Sequence, residues 1–295
     1  MNATDPMNPT GPLTAIVLTC NEERHLPDCL ASLSWVPRVI VVDSNSSDGT
    51  VAIARAAGAQ VIDHPFENYA RQRQFALAQV DSPWALFVDA DERVGPELAA
   101  EIRRVVGVGE RMVGDRQALE SGPRSEVQPQ SPLSGNAAIA GYWLPRRNVF
   151  WGHGLKGGGW WPDAQLRLLR IGHARYDPLQ AVHEVAVLDG AADTLEHPLT
   201  HLNYDHLTEF RHKQMAYAAL DAEHRRAAGG RVRAHSLIIQ PWRAFYRRYV
   251  RLAGWRDGPL GLLLCALMAW YELRTLILLR RLQRPEIRRP VLPSR

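Results

Sequence analysis

Apolar runs closed by polar residues organise the first hundred positions. Leu13–Thr19, Arg38–Asp43, residues 59–63 and Trp84–Asp89 are short stretches with hardly a polar side chain inside them. Such runs read as strands buried on both faces, the kind found in parallel sheets. Between them the period changes. Leu26, Cys29, Leu30 and Leu33 recur at helical spacing, and Ser44 to Thr50 carries turn and cap chemistry ahead of a helix over 51–57. Gly58 suits the end of that helix. Further helices are expected over 68–79 and 96–106. Strand alternating with helix is the pattern of an α/β domain with right-handed crossovers.

That topology places the strands' carboxyl ends along one sheet edge, where open α/β folds bind their ligands. Thr19 and Asn21, Asp43, then Asp89 and Asp91 gather there. Asp89-Ala90-Asp91-Glu92 sets two carboxylates two residues apart, and hard divalent cations take oxygen ligands shared with substrate phosphates. An acidic turn capping the next helix has the same composition. No G-x-G-x-x-G follows the first strand and no G-x-x-x-x-G-K-[ST] occurs, so the phosphate loops of dinucleotide and P-loop proteins are missing.

The rest of the chain is more varied. Residues 107–140 turn rich in Gly, Ser, Pro and Gln and read as an insertion or long loop. Order resumes at Gly141, and glycines then flank Trp160 and Trp161, a combination suited to pyranose rings or to plain core packing. Residues 165–170 alternate like a strand, with Arg167 and Gln165 on one face. Val182-His183-Glu184-Val185 sets a carboxylate beside an imidazole in a short apolar segment; Glu184 is a candidate general base and Asp163 the second choice. His197, His201 and His206 lack cysteine companions and helical pairing, which argues against zinc.

Composition changes the picture in the second half. The 295 residues carry a formal charge of +4, but from Arg211 onward basic residues greatly outnumber acidic ones. Residues 241–253 interleave aromatics with arginines, a pattern suited to nucleic acid or to anionic lipid. Residues 259–271 are apolar until Glu272 and Arg274 intrude, short of the roughly 20 residues that span a bilayer. We expect an interfacial or re-entrant helix at an anionic membrane surface, with no nucleic-acid partner. Three cysteines without pairing or Cys-x-x-Cys spacing fit a reducing, cytoplasmic setting. Residues 1–12 read as a disordered lead-in without the apolar core of a signal peptide.

Leu18-Thr19-Cys20-Asn21-Glu22-Glu23, Val41-Val42-Asp43-Ser44-Asn45-Ser46-Ser47-Asp48-Gly49-Thr50 and Asp89-Ala90-Asp91-Glu92 resemble, in order and spacing, the motifs of family-2 inverting glycosyltransferases with the GT-A fold. Trp160-Trp161-Pro162-Asp163, Arg167-Leu168 and His183-Glu184 are similar to a bacterial branch that builds lipopolysaccharide inner core. The resemblance implies a Rossmann-like, mostly parallel sheet flanked by helices. It implies a nucleotide-sugar donor, a lipid-linked or lipopolysaccharide-type glycan acceptor, and a divalent metal (Mg or Mn) on the Asp-x-Asp motif. Thr19, Asn21, Glu22, Asp43, Ser44, Arg73 and Asp89 would line the nucleotide sugar. Asp91, with Asp89 near the ribose or metal, would hold the cation, and Glu184 would be the base. Trp160, Trp161, Asp163, Arg167, His183 and His201 would lie toward acceptor or diphosphate. Leu18, Cys20 and Ser44 depart from the family's usual Pro, Tyr and Asp.

The expected organisation is therefore a lead-in over 1–12, a catalytic domain over 13–205 and a basic, helical, membrane-associating region over 206–295. The enzyme would work at the inner face of the cytoplasmic membrane. A non-catalytic nucleotide-sugar or glycan binder and a nucleotidyltransferase are the alternatives.

Overall fold

In the computed structural model, which describes residues 11–107, 138–178 and 185–283, strand β1 (Leu13–Thr19) sits between two parallel neighbours. These are β2 (Arg38–Asp43) and β4 (Trp84–Asp89). The register sets Thr19 opposite Asp43 and Leu18 opposite Asp89, so the three polar ends are level. β3 (Gln60–Asp63) extends the parallel half beyond β2, with Asp63 opposite Asp43. The crossovers are α1 (Leu26–Ser32), α2 (Thr50–Ala56) and α3 (Tyr69–Leu77).

Alternation along β1 shows why these runs lack polar residues. Leu13, Ala15 and Val17 face a core shared with Leu26, Leu30 and Leu33. Ile16, Ile40, Val42 and Phe87 face a second core with Ala76 and Leu77 of α3. Both faces of the sheet are buried, so nearly every strand position is apolar; Thr14 is an exception within β1, accepting from Ser82 Oγ at 2.8 Å.

Past β4 the chain forms β5 (Glu92–Val94) and α4 (Pro96–Gly107). β6 (Ile139–Phe150) follows, two residues ahead of the expected start at Gly141. After β7 (His153–Gly154) comes β8 (Asp163–Arg170), which pairs antiparallel with both β4 and β6. β9 (Ala174–Arg175) and β10 (Val187–Leu188) make a small separate pair, and β11 (Ala191–Thr194) runs parallel to β6. β12 (Leu199–Tyr204) pairs antiparallel with β5. The main path is β3-β2-β1-β4-β8-β6-β12-β5. It is a GT-A-like mixed sheet with helices on both faces. Most of the lead-in (1–10 of 1–12), most of the insertion (108–137 of 107–140), His183 and Glu184 lie outside the described residues.

The described residues fall into two compact units, one within Met1–Val149 and Trp161–Asn203, the other within Phe150–Trp160 and Tyr204–Arg295. The second unit holds α5 (Leu207–Ala227), α6 (Ser236–Tyr246), a π-helical turn (Arg247–Arg251), a 3-10 turn (Gly254–Asp257) and α7 (Gly258–Leu282). Its core is Phe150, Leu155, Tyr204, Phe210, Leu264 and Tyr271. Asp257 accepts hydrogen bonds from the amides of Lys156 (2.7 Å) and Gly157 (3.0 Å), tying the Trp-Gly loop to the start of α7. A Cβ on Gly157 would lie 2.2 Å from the Ala253 carbonyl oxygen, so only glycine fits.

One expectation for this unit changes. The amphipathic helix starts at Ser236, earlier than 241, and runs through Pro241. Glu272 interrupts the apolar run of the next helix without ending the helix. The Arg225 guanidinium takes both Glu272 oxygens (2.7 and 3.0 Å), and α7 continues unbroken to Leu282.

In the first unit, α4 is fastened through Glu101. Its carboxylate accepts from the amides of Glu196 and His197 (both 3.0 Å) and bonds His197 Nδ1 at 2.8 Å. Burial pushes the Glu101 pKa up, but these hydrogen bonds prevail and hold it below the usual value. A folded-state pKa below the unfolded one stabilises above the unfolded value, near 4.3, and that contribution is lost as pH falls through the folded value. Glu101→Gln is expected to cost about 1–3 kcal/mol in urea unfolding at neutral pH. It should also flatten the decline in stability of the native chain below about pH 4.5.

Candidate active site

At the carboxyl end of β4 a turn leads into β5, setting Asp89, Asp91 and Glu92 within four consecutive residues. Glu92 points inward and is fully buried. Its Oε2 accepts from the Asp89 amide at 2.8 Å, and its Oε1 lies 3.3 Å from both Arg146 and Arg167. Arg146 comes from β6 and Arg167 from β8. Sheet order brings both strands to the β4 edge.

Asp89 is enclosed by arginines. Arg167 grips both of its oxygens, and Arg73 of α3 donates to Oδ1 at 3.2 Å. Burial alone would raise the Asp89 pKa, but Arg167 and then Arg73 overcome it and hold the carboxyl well below its ordinary range. Glu92 moves the other way: burial pushes it up and Asp89 adds to that, against the pull of its arginines. Arg167 Nε is buried with no hydrogen-bond partner among the described residues.

Asp91 differs. Its backbone carbonyl accepts from the Leu202 amide at 2.9 Å, and its side chain meets one group, His201 Nε2, at 3.2 Å from Oδ2. Burial raises its pKa, and the His201 hydrogen bond with that ring's charge more than reverses the shift. Oδ1 has no partner among the described residues. β12 aligns His201 with Glu92 across the β5 ladder, and Asn148 Oδ1 meets His201 Nδ1 at 2.6 Å. Asn148 is itself oriented, donating to Asp163 (3.2 Å) and accepting from Asn203 (3.1 Å).

The second choice for a base is not a free carboxylate. Asp163 accepts from Arg146 Nε (2.8 Å) and its terminal nitrogen (2.6 Å), from Asn148, and from Gln165 at 2.9 Å. Burial would raise its pKa, but the Arg146 charge and these hydrogen bonds lower it, leaving a weak proton acceptor. Trp161 lies under the Arg147 guanidinium, 5.6 Å from the ring centroid. Trp160 belongs to the other unit, where Phe150 (5.6 Å) and Arg248 (4.9 Å) cover it. His197 is held by Glu101 and His206 precedes α5, and no cluster of three metal-ligating side chains forms among the described residues.

A second polar cluster lies at the ends of β1 and β2. Asp43 is buried and accepts from Thr19 Oγ1 (2.8 Å), the Ser46 amide (2.8 Å) and Ser46 Oγ (2.6 Å). Asn21, at φ 56°, donates its amide to Ser46 Oγ and accepts from the Ser47 amide, both at 2.8 Å. The Glu22 amide donates to Thr50 Oγ1 at 2.8 Å. A cleft of about 380 Å³ opens beside this cluster, lined by Asp43, Asn45, Ser46, Val51, Arg55, Val61 and Asp63. α3 joins the two clusters. Gln72 donates to Ser44 Oγ at 3.0 Å while the next residue, Arg73, reaches Asp89.

The structure thus unites Arg73, Asp89, Asp91, Asp163, Arg167 and His201 in one network, and Thr19, Asn21, Asp43 and Ser44 in another. It adds Glu92, Arg146, Asn148 and Gln72, which the sequence did not single out. Arg146 and Asn148 stand two apart on a strand and share a face; that period-two pairing of polar residues was the available signal.

The sheet and the polar clusters at its strand ends are those of a GT-A-type transferase. A model described as glycosyl transferase family 2 matches residues 14–150. The lipopolysaccharide core biosynthesis glycosyltransferase LpsC of Rhizobium meliloti (strain 1021) is 32% identical over 261 residues, 86% of this chain and 87% of that protein. A glycosyltransferase of Rickettsia felis is 40% identical over 94 residues, 32% of this chain and 33% of the relative. Among solved structures, glucosyl-3-phosphoglycerate synthase from Mycobacterium tuberculosis with Mn²⁺, uridine diphosphate and glucosyl-3-phosphoglycerate is 26% identical. That match has a TM-score of 0.26 and covers 27% of this chain and 33% of that one. The chain belongs to glycosyltransferase family 2.

Removing Glu92 would take one carboxylate from Arg146 and Arg167, which keep Asp163 and Asp89, and would leave the Asp89 amide without its acceptor. Glu92→Ala is expected to cost about 1–3 kcal/mol in urea unfolding. Glu92→Gln keeps an acceptor for the Asp89 amide and should lose less than half as much.

Proposed function

We propose that this glycosyltransferase moves a sugar, with inversion, from a nucleotide-sugar donor to a lipid-linked or lipopolysaccharide-core-type acceptor. The similarity to LpsC across most of both chains supports the acceptor class. The observation that carries the reading is the division of labour between two neighbouring carboxylates. Asp89 is committed to Arg73 and Arg167, whereas Asp91 keeps one oxygen open beside a single imidazole.

An open carboxylate oxygen in an oxygen-rich site fits Mg²⁺ or Mn²⁺. Asp91 would hold the ion, with His201 beside it and Asp89 close by. When bound, the cation offsets charge on the departing nucleoside diphosphate. Arg73 and Arg167 set positive charge at the same strand end, and their pairing with Asp89 fixes their direction before a donor arrives. The Thr19–Asp43–Ser46 cluster, with Asn21, Glu22 and Ser44, is our candidate for the nucleoside end. Asp43 already accepts three hydrogen bonds, which leaves little capacity for reading a base.

Glu184 is our nominated base. It would take the acceptor hydroxyl's proton as that oxygen bonds to the anomeric carbon and the bond to the nucleoside diphosphate breaks. The engagement of Asp163 by Arg146, Asn148 and Gln165 supports Glu184 over it. His183, Trp161 and Arg147 are candidates for the acceptor side. We place the enzyme at the inner face of the cytoplasmic membrane, where the arginine-rich second unit meets anionic lipid.

Thermal unfolding against UDP-, GDP-, CMP- and dTDP-sugars, with and without Mn²⁺, tests the donor site, since a ligand of the folded state raises the melting temperature. One sugar nucleotide should give a metal-dependent shift that Asp91→Ala abolishes, with turnover falling about 100-fold or more. Glu184→Gln should keep that shift and lose turnover by about 100-fold or more. A shift with nucleoside triphosphates alone would replace this reading with nucleotidyl transfer.

A further inference from the structure

Helix α6 turns its apolar side outward. Ile238, Trp242, Tyr246 and Val250 recur every four residues through α6 and the turn that follows, and all are exposed, Ile238 to 76% and Trp242 to 64%. In a helix that faces water on one side, the apolar stripe is the buried one; α6 has no buried residue at all. α7 continues the pattern. It buries Leu264, Tyr271, Leu276 and Leu279 and leaves Leu262, Leu263 and Trp270 exposed.

Charge borders these stripes. Residues 231–283 hold ten arginines, no lysine and two acids, Asp257 and Glu272. Both acids are engaged, Asp257 by the Lys156 and Gly157 amides and Glu272 by Arg225. Arg243, Arg247 and Arg251 lie on the side of α6 next to its apolar stripe, and Arg280 and Arg281 close the exposed side of α7. An apolar surface with tryptophans and a rim of arginine complements an anionic bilayer, whose interior takes the stripe and whose phosphates take the rim. A second copy of this chain would bring the same arginines against one another.

Length alone admits another geometry. The helical stretch Gly254–Leu282, 29 residues with a mean hydropathy of 1.8 in its most apolar window, is long and apolar enough to cross a membrane. α5 argues against crossing. It packs along α7, with Phe210 against Tyr271 (5.9 Å), Arg225 on Glu272, and the Gly230 carbonyl accepting from the Gln283 side chain. Its outer side exposes Arg211, His212, Lys213, Glu223 and His224. An α7 that crossed would draw this charged helix into hydrocarbon, where such groups are strongly disfavoured.

We infer that α6 and α7 lie in the plane of an anionic membrane surface, α7 immersing one stripe while the opposite stripe stays on α5. The inference rests on the membrane location proposed above and is independent of the sugar chemistry.

Vesicle sedimentation and depth quenching of the full chain test it. The protein should bind phosphatidylglycerol–phosphatidylethanolamine vesicles about tenfold or more tightly than phosphatidylcholine vesicles, and less well as salt rises. Ile238→Glu combined with Trp242→Glu should lose that binding and keep the sugar-nucleotide thermal shift, which reports a folded catalytic unit. In a Cys20→Ser background, fluorophores attached through Leu262→Cys, Ala266→Cys and Ile277→Cys should be quenched alike by shallow-brominated lipids. Positions 262 and 277 are about 22 Å apart along a helix, so a crossing helix would give a steep depth gradient and overturn the proposal. Equal binding to neutral vesicles would overturn it as well. So would absent binding, whether by a monomer or by a lipid-free dimer that the double variant splits. Loss of the sugar-nucleotide shift with vesicle binding intact would count against the donor site alone.

Discussion

The Arg167 guanidinium holds the centre of the catalytic unit together. It lies between Asp89 and Glu92, two carboxylates that would otherwise repel across the turn from β4 to β5. Taking an arginine wholly out of water is costly, and only close anionic partners offset that cost. Asp89 stays ionised because of this pairing, Glu92 is buried beneath it, and Arg146 joins Glu92 to Asp163. β6 and β8, far along the sequence, are thereby locked to β4 and β5, and Asp91 is presented on a scaffold that is electrostatically settled before any ligand arrives.

Legibility followed the physics of burial. Leu13–Thr19, Arg38–Asp43 and Trp84–Asp89 were readable to the residue because a strand covered on both faces has little room for a polar side chain between its ends. The level strand ends were readable too, since parallel strands joined by helices present the same ends. Pairings across long separations left no local trace. Asp89 and Arg167 are 78 positions apart, and nothing near either announces the other. Glu92 read as the tail of an acidic motif because its inward direction depends on where β6 and β8 fall in the sheet.

The second unit confused a reading based on hydropathy for a related reason. Glu272 looked like an interruption, yet a charge that finds its partner on a neighbouring helix does not end the helix it sits on. The Trp-Gly loop likewise resembled an open aromatic platform. Gly157 is required by the nearby Ala253 carbonyl, and Trp160, half-buried, has Phe150 and Arg248 against it. At Gly157 the glycine reports a close backbone approach.

Gln72 and Arg73 are consecutive, yet one reaches Ser44 beyond β2 and the other reaches Asp89 at the end of β4. A single helix therefore acts as a caliper whose two jaws close on separate strands. Because the jaws share one rigid beam, the gap between the Ser44 and Asp89 contacts is inherited from α-helical geometry. A drift in sequence that shifts α3 moves both contacts in concert, and the spacing between them changes only when a strand end itself is rebuilt.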